Sequence, residues 1–327
     1  VRIAIVGAGA VGCAYGYRLA ESGQHVTLID VWAEHVSRIE ADGLRVASLD
    51  TEHTVAIEAS TDMASAVGAE VVIMAVKAFS NEAAAHALSP TLDATAIVVT
   101  VQNGIGNDAR LAALLGAHRV VQASTTVGAE ILGPGRVRVT PGTADGESRT
   151  VLGRPPGAAA AVAARFAAVL DGAGLPAAVV DDVREVVWRK AVFAAAIGPL
   201  CATLEGTVAD LLRRPTAVTA LRRAFAEIVA VAGADPAGIA LDLDEMWDQG
   251  LAVYRSIGDH PPSLAVDVAR GRPTEIDAQL GEICRRAVAT GVATPVCDVL
   301  LTLVAAREPT GGGGAGDGAG LPTTGID

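Results

Sequence analysis

The stretch VGAGAVG, Val6–Gly12, sets glycines at positions 7, 9 and 12 directly after the apolar run Arg2–Val6 and directly before an Ala-rich segment that reads as a helix. A G-x-G-x-x-G spacing between a strand and a helix is the fingerprint of a dinucleotide-binding turn. Gly7 permits the tight turn, Gly9 lets the backbone approach a pyrophosphate, and Gly12 allows the helix to pack closely on the strand. Unpaired N–H groups of the first helical turn, at Ala10 and Val11, add donors for phosphate oxygens. The next apolar run, HVTLID, ends in Asp30, 18 residues past Gly12. An acid there accepts hydrogen bonds from the adenosine ribose and repels a 2′-phosphate. Val31 and Trp32 bring no cation to hold that phosphate, so the expected cofactor is NADH in preference to NADPH.

On either side of this turn, short β-branched runs alternate with Ala/Leu-rich segments up to about residue 180, the pattern of βαβ units around a parallel sheet. The expected strands are RIAIV, HVTLID, VVIMAV, AIVVTV and RVVQAS, with RVRVT and RTVLG as an antiparallel extension. The helix 157–174 and the strand PAAVV close this unit. From Asp182 on, the texture is helical, punctuated at RRPT, ADPAG and DHPPS. The expectation is a Rossmann-type α/β domain (1–180), an all-α domain (181–307) and a disordered Gly-rich tail (308–327). The LPTTG in that tail lacks the hydrophobic segment and export signal that a sorting motif needs, and reads as chance.

A chain of 327 residues, 51% hydrophobic but only 3% aromatic, builds its core from Ala, Val and Leu. Its net charge of −12 excludes the clustered cations of a nucleic-acid or anionic-membrane surface. Cys13, Cys201, Cys284 and Cys297 are scattered without CxxC pairing and read as buried thiols in helices. The histidines at 25, 35, 53, 86, 118 and 260 lack metal-ligand spacing and read as surface or loop positions, so no metal is expected. No leader precedes VRIAIV and no apolar run approaches a membrane span, so the expected location is the cytoplasm.

Of the 25 cationic side chains, all but Lys77 and Lys190 are Arg. Lys190 heads the apolar run AVFAAAIGPLCATL. Beside a nicotinamide cofactor the natural chemistry is hydride transfer to a carbonyl, whose developing alkoxide needs a proton. A partly buried lysine has its pKa lowered toward neutrality and can give one; arginine hardly can.

The segment VWRKAVFAAAIGPLCA resembles the lysine-bearing segment of the ketopantoate reductase family, the 2-dehydropantoate 2-reductases. VKA (76–78), VQNGIGN (101–107), STT (124–126) and SLAVDVARGRPTEID (263–277) extend the resemblance over nearly all of residues 1–306. It implies a helical domain like that of 6-phosphogluconate dehydrogenase behind the Rossmann-type one, with a possible homodimer. It implies Lys190 as general acid, with Glu275 holding that lysine or the nascent hydroxyl. Ser263 would bind the substrate carboxylate and Asn103 would contact both nicotinamide and substrate. Val76, Lys77 and Glu275 would lie along the cofactor. Ser263 could alternatively be an N-cap, and Asp267 and Arg270 read as helix-surface partners.

The chain departs from the family where two asparagines would follow the lysine: Ala194 and Gly198 stand there, and Leu280 replaces a third. At i, i+4 and i+8 they share one helical face with Lys190, which reads as smooth and roomy. The expectation is a reductase of 2-oxo acids with branched or aromatic groups. Two further readings stay open: an authentic 2-dehydropantoate 2-reductase of pantothenate biosynthesis, and a non-catalytic dinucleotide-binding redox sensor.

Overall fold

The computed structural model describes residues 1–49, 51–236 and 238–309. Its α/β part runs β1 (Arg2–Val6), α1 (Ala10–Glu21), β2 (His25–Ile29), α2 (Ala33–Asp42), β3 (Leu44–Ala47), β4 (Glu52–Val55), β5 (Glu58–Ser60), β6 (Val71–Met74), α3 (Asn81–Leu88), β7 (Ile97–Thr100), α4 (Asn107–Leu115), β8 (Val120–Thr125), β9 (Ala129–Gly133), β10 (Arg136–Val139), α5 (Pro141–Ala144), β11 (Thr150–Gly153), α6 (Ala159–Gly172) and β12 (Ala177–Val180). The main sheet has the order β12-β11-β8-β7-β6-β1-β2-β5. Its pairs are parallel except β11 with β8. The strand order reverses between β1 and β6, which makes a crevice at their carboxyl ends the place for a ligand.

The remaining described strands form a second sheet, β4-β3-β10-β9, which corrects the reading of RVRVT as part of the main sheet. Its alternation explains the placement: Val137 and Val139 are buried, and they join the core that packs around α1. The main sheet lies on the other side of that helix, so Cys13, Ala14, Tyr15, Gly16, Tyr17 and Leu19 are all buried. A helix apolar all round requires such a sandwich.

The rest is helical: α7 (Arg184–Leu204), α8 (Val208–Leu212), α9 (Pro215–Ala234), α10 (Leu243–Ile257), α11 (Ser263–Ala269), a π-helical turn (Asp277–Gly281), α12 (Glu282–Thr290) and α13 (Pro295–Ala305). α7 is the axis of this part, buried along Ala195–Ala202 against α9, α11 and α13. Contrary to the reading from sequence, it is long and apolar enough to cross a membrane, but 67% of its most apolar window is buried inside the protein. Burial in a protein core accounts for that composition. Glu308 accepts from the Thr274 N–H at 3.0 Å, which ties a residue assigned to the tail to the helical part. The remainder of the expected tail, with LPTTG, lies outside the described residues.

One histidine was misread. His35 is fully buried, its ring 4.9 Å from that of Trp32 and stacked at 12°. It shares the inner face of α2 with Val36 and Ile39, where a polar ring needs a partner. The Gly135 N–H supplies one, donating to Nδ1 at 3.0 Å. That bond leaves the ring proton on Nε2, 3.6 Å from the Cys13 sulfur, and burial lowers the pKa of the ring against the pull of Asp30.

Candidate active site

The glycines of the first turn behave as three different spacers. Gly7 has φ +101°, and a Cβ there would lie 2.5 Å from the Val76 nitrogen, so β1 and β6 can approach only with glycine between them. A Cβ on Gly12 would overlap the Gly7 carbonyl oxygen. Gly9 is the opposite case: nothing lies within 4 Å of its Cβ position, and it caps α1 with no side chain on the free N–H groups. The N–H groups of Ala10 and Val11 therefore face open space beside a backbone with no side chain, a cradle that fits a dinucleotide pyrophosphate. Asp30 follows β2 on the same carboxyl edge, and its Oδ1 accepts the Trp32 N–H at 2.9 Å. Val31 beside it is exposed.

The ends of β6 and β7 are knitted together by amides. Gln102 donates at 2.6 Å both to the Val76 carbonyl and to Asn81, Asn81 donates to Asn107 at 3.0 Å, and Asn107 donates to the Asn103 carbonyl at 2.9 Å. Asn103 is thus fixed through its backbone, while its own amide has no partner among the described residues. At Gly104, φ +95°, a Cβ would overlap the Ala278 carbonyl, so this loop lies directly on the π-helical turn. Gln102, Asn81 and Asn107 were not singled out from sequence; their polar neighbours Ser80, Glu82, Asn103 and Asp108 give no local sign of burial.

Lys190 projects from α7 to the end of β8, where its ammonium donates to the Thr125 carbonyl at 2.7 Å. Thr125 is rigid. Its hydroxyl accepts from Tyr15 at 2.9 Å and from the Val127 N–H at 3.0 Å, and Thr150 stands 2.6 Å from the same tyrosine oxygen. Burial pulls the Lys190 ammonium down to about 8, and Glu275 opposes that shift without offsetting it.

Glu275, expected to hold Lys190, bonds elsewhere. Its Oε1 accepts the Ala78 N–H at 2.9 Å and its Oε2 accepts Lys77 at 3.2 Å. The Lys77 ammonium also donates to Asp267 at 2.9 Å, and Arg272 donates to the other oxygen of Asp267 at 2.6 Å. Burial alone would lower the pKa of Lys77, but Glu275 and Asp267 outweigh it and raise it. Asp267 is 5% exposed, which corrects its reading as a surface partner; its place amid the apolar SLAVDVA was the missed signal. Arg270 does pair at the surface, with Glu130 at 2.9 Å.

Ser263 is the exposed first residue of α11, and Pro262, not Ser263, occupies the cap position. The next residue, Leu264, lies 3.5 Å from the position a Gly198 Cβ would take. The face expected to be roomy at Gly198 is therefore filled by leucine; only Ala194, half-buried, remains open on that stripe. Leu280 is fully buried and faces no such space. A surface cleft of about 1140 Å³ lies elsewhere, against α2 and β5, and includes none of these residues.

Residues 3–157 match the family model "Ketopantoate reductase PanE/ApbA", and residues 182–308 match its C-terminal companion. A 2-dehydropantoate 2-reductase of Halobacterium salinarum is 31% identical over 312 residues, 95% of this chain and 100% of that protein. That of Lactococcus lactis is 29% identical, over 94% and 98% of the two chains. Among solved structures, a PanE/ApbA family ketopantoate reductase from Ralstonia eutropha superposes with a TM-score of 0.84 at 34% identity, over 94% of this chain and 98% of the other. D-mandelate dehydrogenase with NADH and anilino(oxo)acetate superposes with a TM-score of 0.87 at 29% identity, over the same shares.

Proposed function

The chain belongs to the ketopantoate reductase family, and from that membership we propose that it is an NAD(P)H-dependent oxidoreductase that reduces a 2-oxo acid to the 2-hydroxy acid, with Lys190 as the proton donor. The observation that carries this reading is a half-buried ammonium, lowered to about 8, set across the two parts of the chain at the carboxyl edge of the sheet.

Gly7, Gly9, Gly12, Ala10 and Val11 would hold the pyrophosphate, Asp30 the adenosine ribose, and Val76, Lys77, Asn103 and Glu275 the nicotinamide side. Bound there, the reduced dinucleotide supplies a hydride for the carbonyl carbon. Lys190 gives its proton to the carbonyl oxygen as negative charge develops on it, and takes another from water afterwards. The buried position both sharpens the electrostatic effect and brings the ammonium near the operating pH. Ser263 and the Asn103 amide, both without partners among the described residues, would bind the substrate carboxylate and carbonyl.

We further propose a preference for NADH, because Asp30 meets the ribose with negative charge and Val31 and Trp32 offer no cation. We also propose a substrate with a branched or aromatic group in place of ketopantoate, because Ala194 and Gly198 offer no amide to its remote hydroxyl. Two lost hydrogen bonds weaken recognition by roughly tenfold to a hundredfold. The mandelate dehydrogenase relative, seen with an aryl-bearing oxo acid analogue, supports this. The curated relatives favour the second reading, reduction of 2-dehydropantoate itself in pantothenate biosynthesis. The proposal places the enzyme in the cytoplasm and allows for a homodimer. Loss of NADH absorbance over a panel of 2-oxo acids tests it. Ketopantoate preferred at least about tenfold over 2-oxoisovalerate would favour the second reading, and no turnover of any 2-oxo acid would remove both.

A further inference from the structure

We propose that Asp267 is a positioning residue for the proton donor: it shares the Lys77 ammonium with Glu275, so that Lys77 anchors Glu275 without cancelling the charge Glu275 presents to Lys190. The activity arm of its test rests on the function proposed above; its main arm does not.

The geometry shows the sharing. Lys77 lies closer to Asp267, at 2.9 Å, than to Glu275, at 3.2 Å. Both carboxylates are buried, at 5% and 8% exposure, where an unpaired charge is strongly disfavoured. Arg272 completes the arrangement at 2.6 Å from Asp267. Lys77 and Arg272 thus match Asp267 and Glu275, and Lys190 adds one unmatched positive charge, the complement of a single substrate carboxylate. Lys190 itself is faced by the neutral Thr125 carbonyl from β8 and by Glu275 from the chain before the π-helical turn. Its neighbour on α7, Arg189, is occupied by Glu185 at 2.9 Å and by Glu245 at 3.5 Å.

If Asp267 loses its charge, Lys77 has Glu275 alone as partner and the two form a closed ion pair. The field of Glu275 at Lys190 then weakens. If Arg272 loses its charge, Asp267 draws Lys77 harder and Glu275 is left freer. The two changes push Lys190 in opposite directions, which a clamp that only holds the two parts together would not do.

The chain has two lysines, so ¹³C-lysine labelling yields two Cε signals, assigned with Lys190→Met. The full-length protein is titrated without cofactor or substrate. The Lys190 midpoint is expected near 8 in the parent protein. It should fall by about half a unit or more in Asp267→Asn, return in Asp267→Glu and rise in Arg272→Gln. A Lys190 midpoint unmoved by Asp267→Asn, or moved the same way by Asp267→Asn and Arg272→Gln, overturns the proposal. Should Asp267→Asn not fold, Arg272→Gln decides alone, since Arg272 is 48% exposed and its replacement leaves the core intact. In turnover, the alkaline limb should follow the titration. Shifted midpoints without reduction of any 2-oxo acid would uphold the positioning role and refute the proposed activity.

Discussion

Lys190 and Thr125 meet across the two halves of the chain: an ammonium from α7 rests 2.7 Å from the carbonyl of Thr125 at the end of β8, a residue whose hydroxyl is held by Tyr15 and the Val127 N–H. A lysine aimed by a rigid acceptor is ready to donate, not merely packed. Lys190→Met preserves the stem and removes the donor. Turnover should fall by about 10² or more, the lower range for general acid catalysis. Binding of NADH, followed by quenching of tryptophan fluorescence, should be unchanged. Equal turnover in the variant would remove Lys190 from the mechanism.

The depressed ammonium sets the direction of the pH dependence. Reduction requires protonated Lys190, so its rate should be level below pH 8 and fall toward tenfold per unit above it. Oxidation of the 2-hydroxy acid requires the neutral amine as base, so it should rise through the same region and level off above it. Measuring kcat/KM in both directions across this range checks the sign; parallel profiles would assign the limb to another group.

Gly9 and Gly12 separate ligand binding from folding. Gly9 has φ −69° and open space at its Cβ position, so Gly9→Ala should fold with an unchanged Tm. Its methyl group would stand in the pyrophosphate cradle and should weaken NADH binding about tenfold or more, which corresponds to about 1.4 kcal/mol. Gly12→Ala would overlap the Gly7 carbonyl and should lower stability by about 1–3 kcal/mol, as overpacking does, along with binding. Thermal melts and fluorescence titrations on the pair test this, and equal behaviour would count against the cradle.

Asp30 and Val31 form the second half of the cofactor argument. Replacing Asp30→Ala with Val31→Arg removes the charge that repels a 2′-phosphate and adds one that attracts it. The ratio of NADPH to NADH in kcat/KM should rise by about 10² or more, from two charge-assisted contacts of roughly 1.5–3 kcal/mol each. An unaltered ratio would place the ribose elsewhere.

The dinucleotide turn was legible because three glycines, a strand and a helix within twelve residues admit few alternatives. The two lysines were legible through their scarcity. Their wiring was not. That Glu275 bonds Lys77 and Ala78, that Asp267 is buried, and that Leu264 fills the space at Gly198 all depend on contacts between segments far apart in the chain. The second sheet was missed for a related reason, since β3 and β4 are four residues each and β3 joins them to β10, a strand nearly a hundred residues away. His35 carries the sharpest lesson: helical spacing put it on the inner face of α2, but only the Gly135 N–H, 100 residues later, makes a buried imidazole tolerable there.

Ala194 and Gly198 differ in what they can regain. At Gly198 the methyl of an alanine would just touch Leu264, and the amide of an asparagine would have to displace it. Gly198→Asn should therefore disturb packing and lower Tm without improving any substrate. Ala194 is half-buried, one turn from Lys190 on the same face of α7. Ala194→Asn restores one donor and one acceptor beside the reacting carbonyl, within reach of a substrate hydroxyl. One regained hydrogen bond is worth about 0.5–1.5 kcal/mol, so kcat/KM for ketopantoate relative to 2-oxoisovalerate should rise roughly threefold to tenfold. Steady-state kinetics on both acids reads this directly. If Ala194→Asn leaves the ratio unchanged while Gly198→Asn raises it, the substrate's polar end lies at the far turn of the helix, and Leu264 must move to admit it.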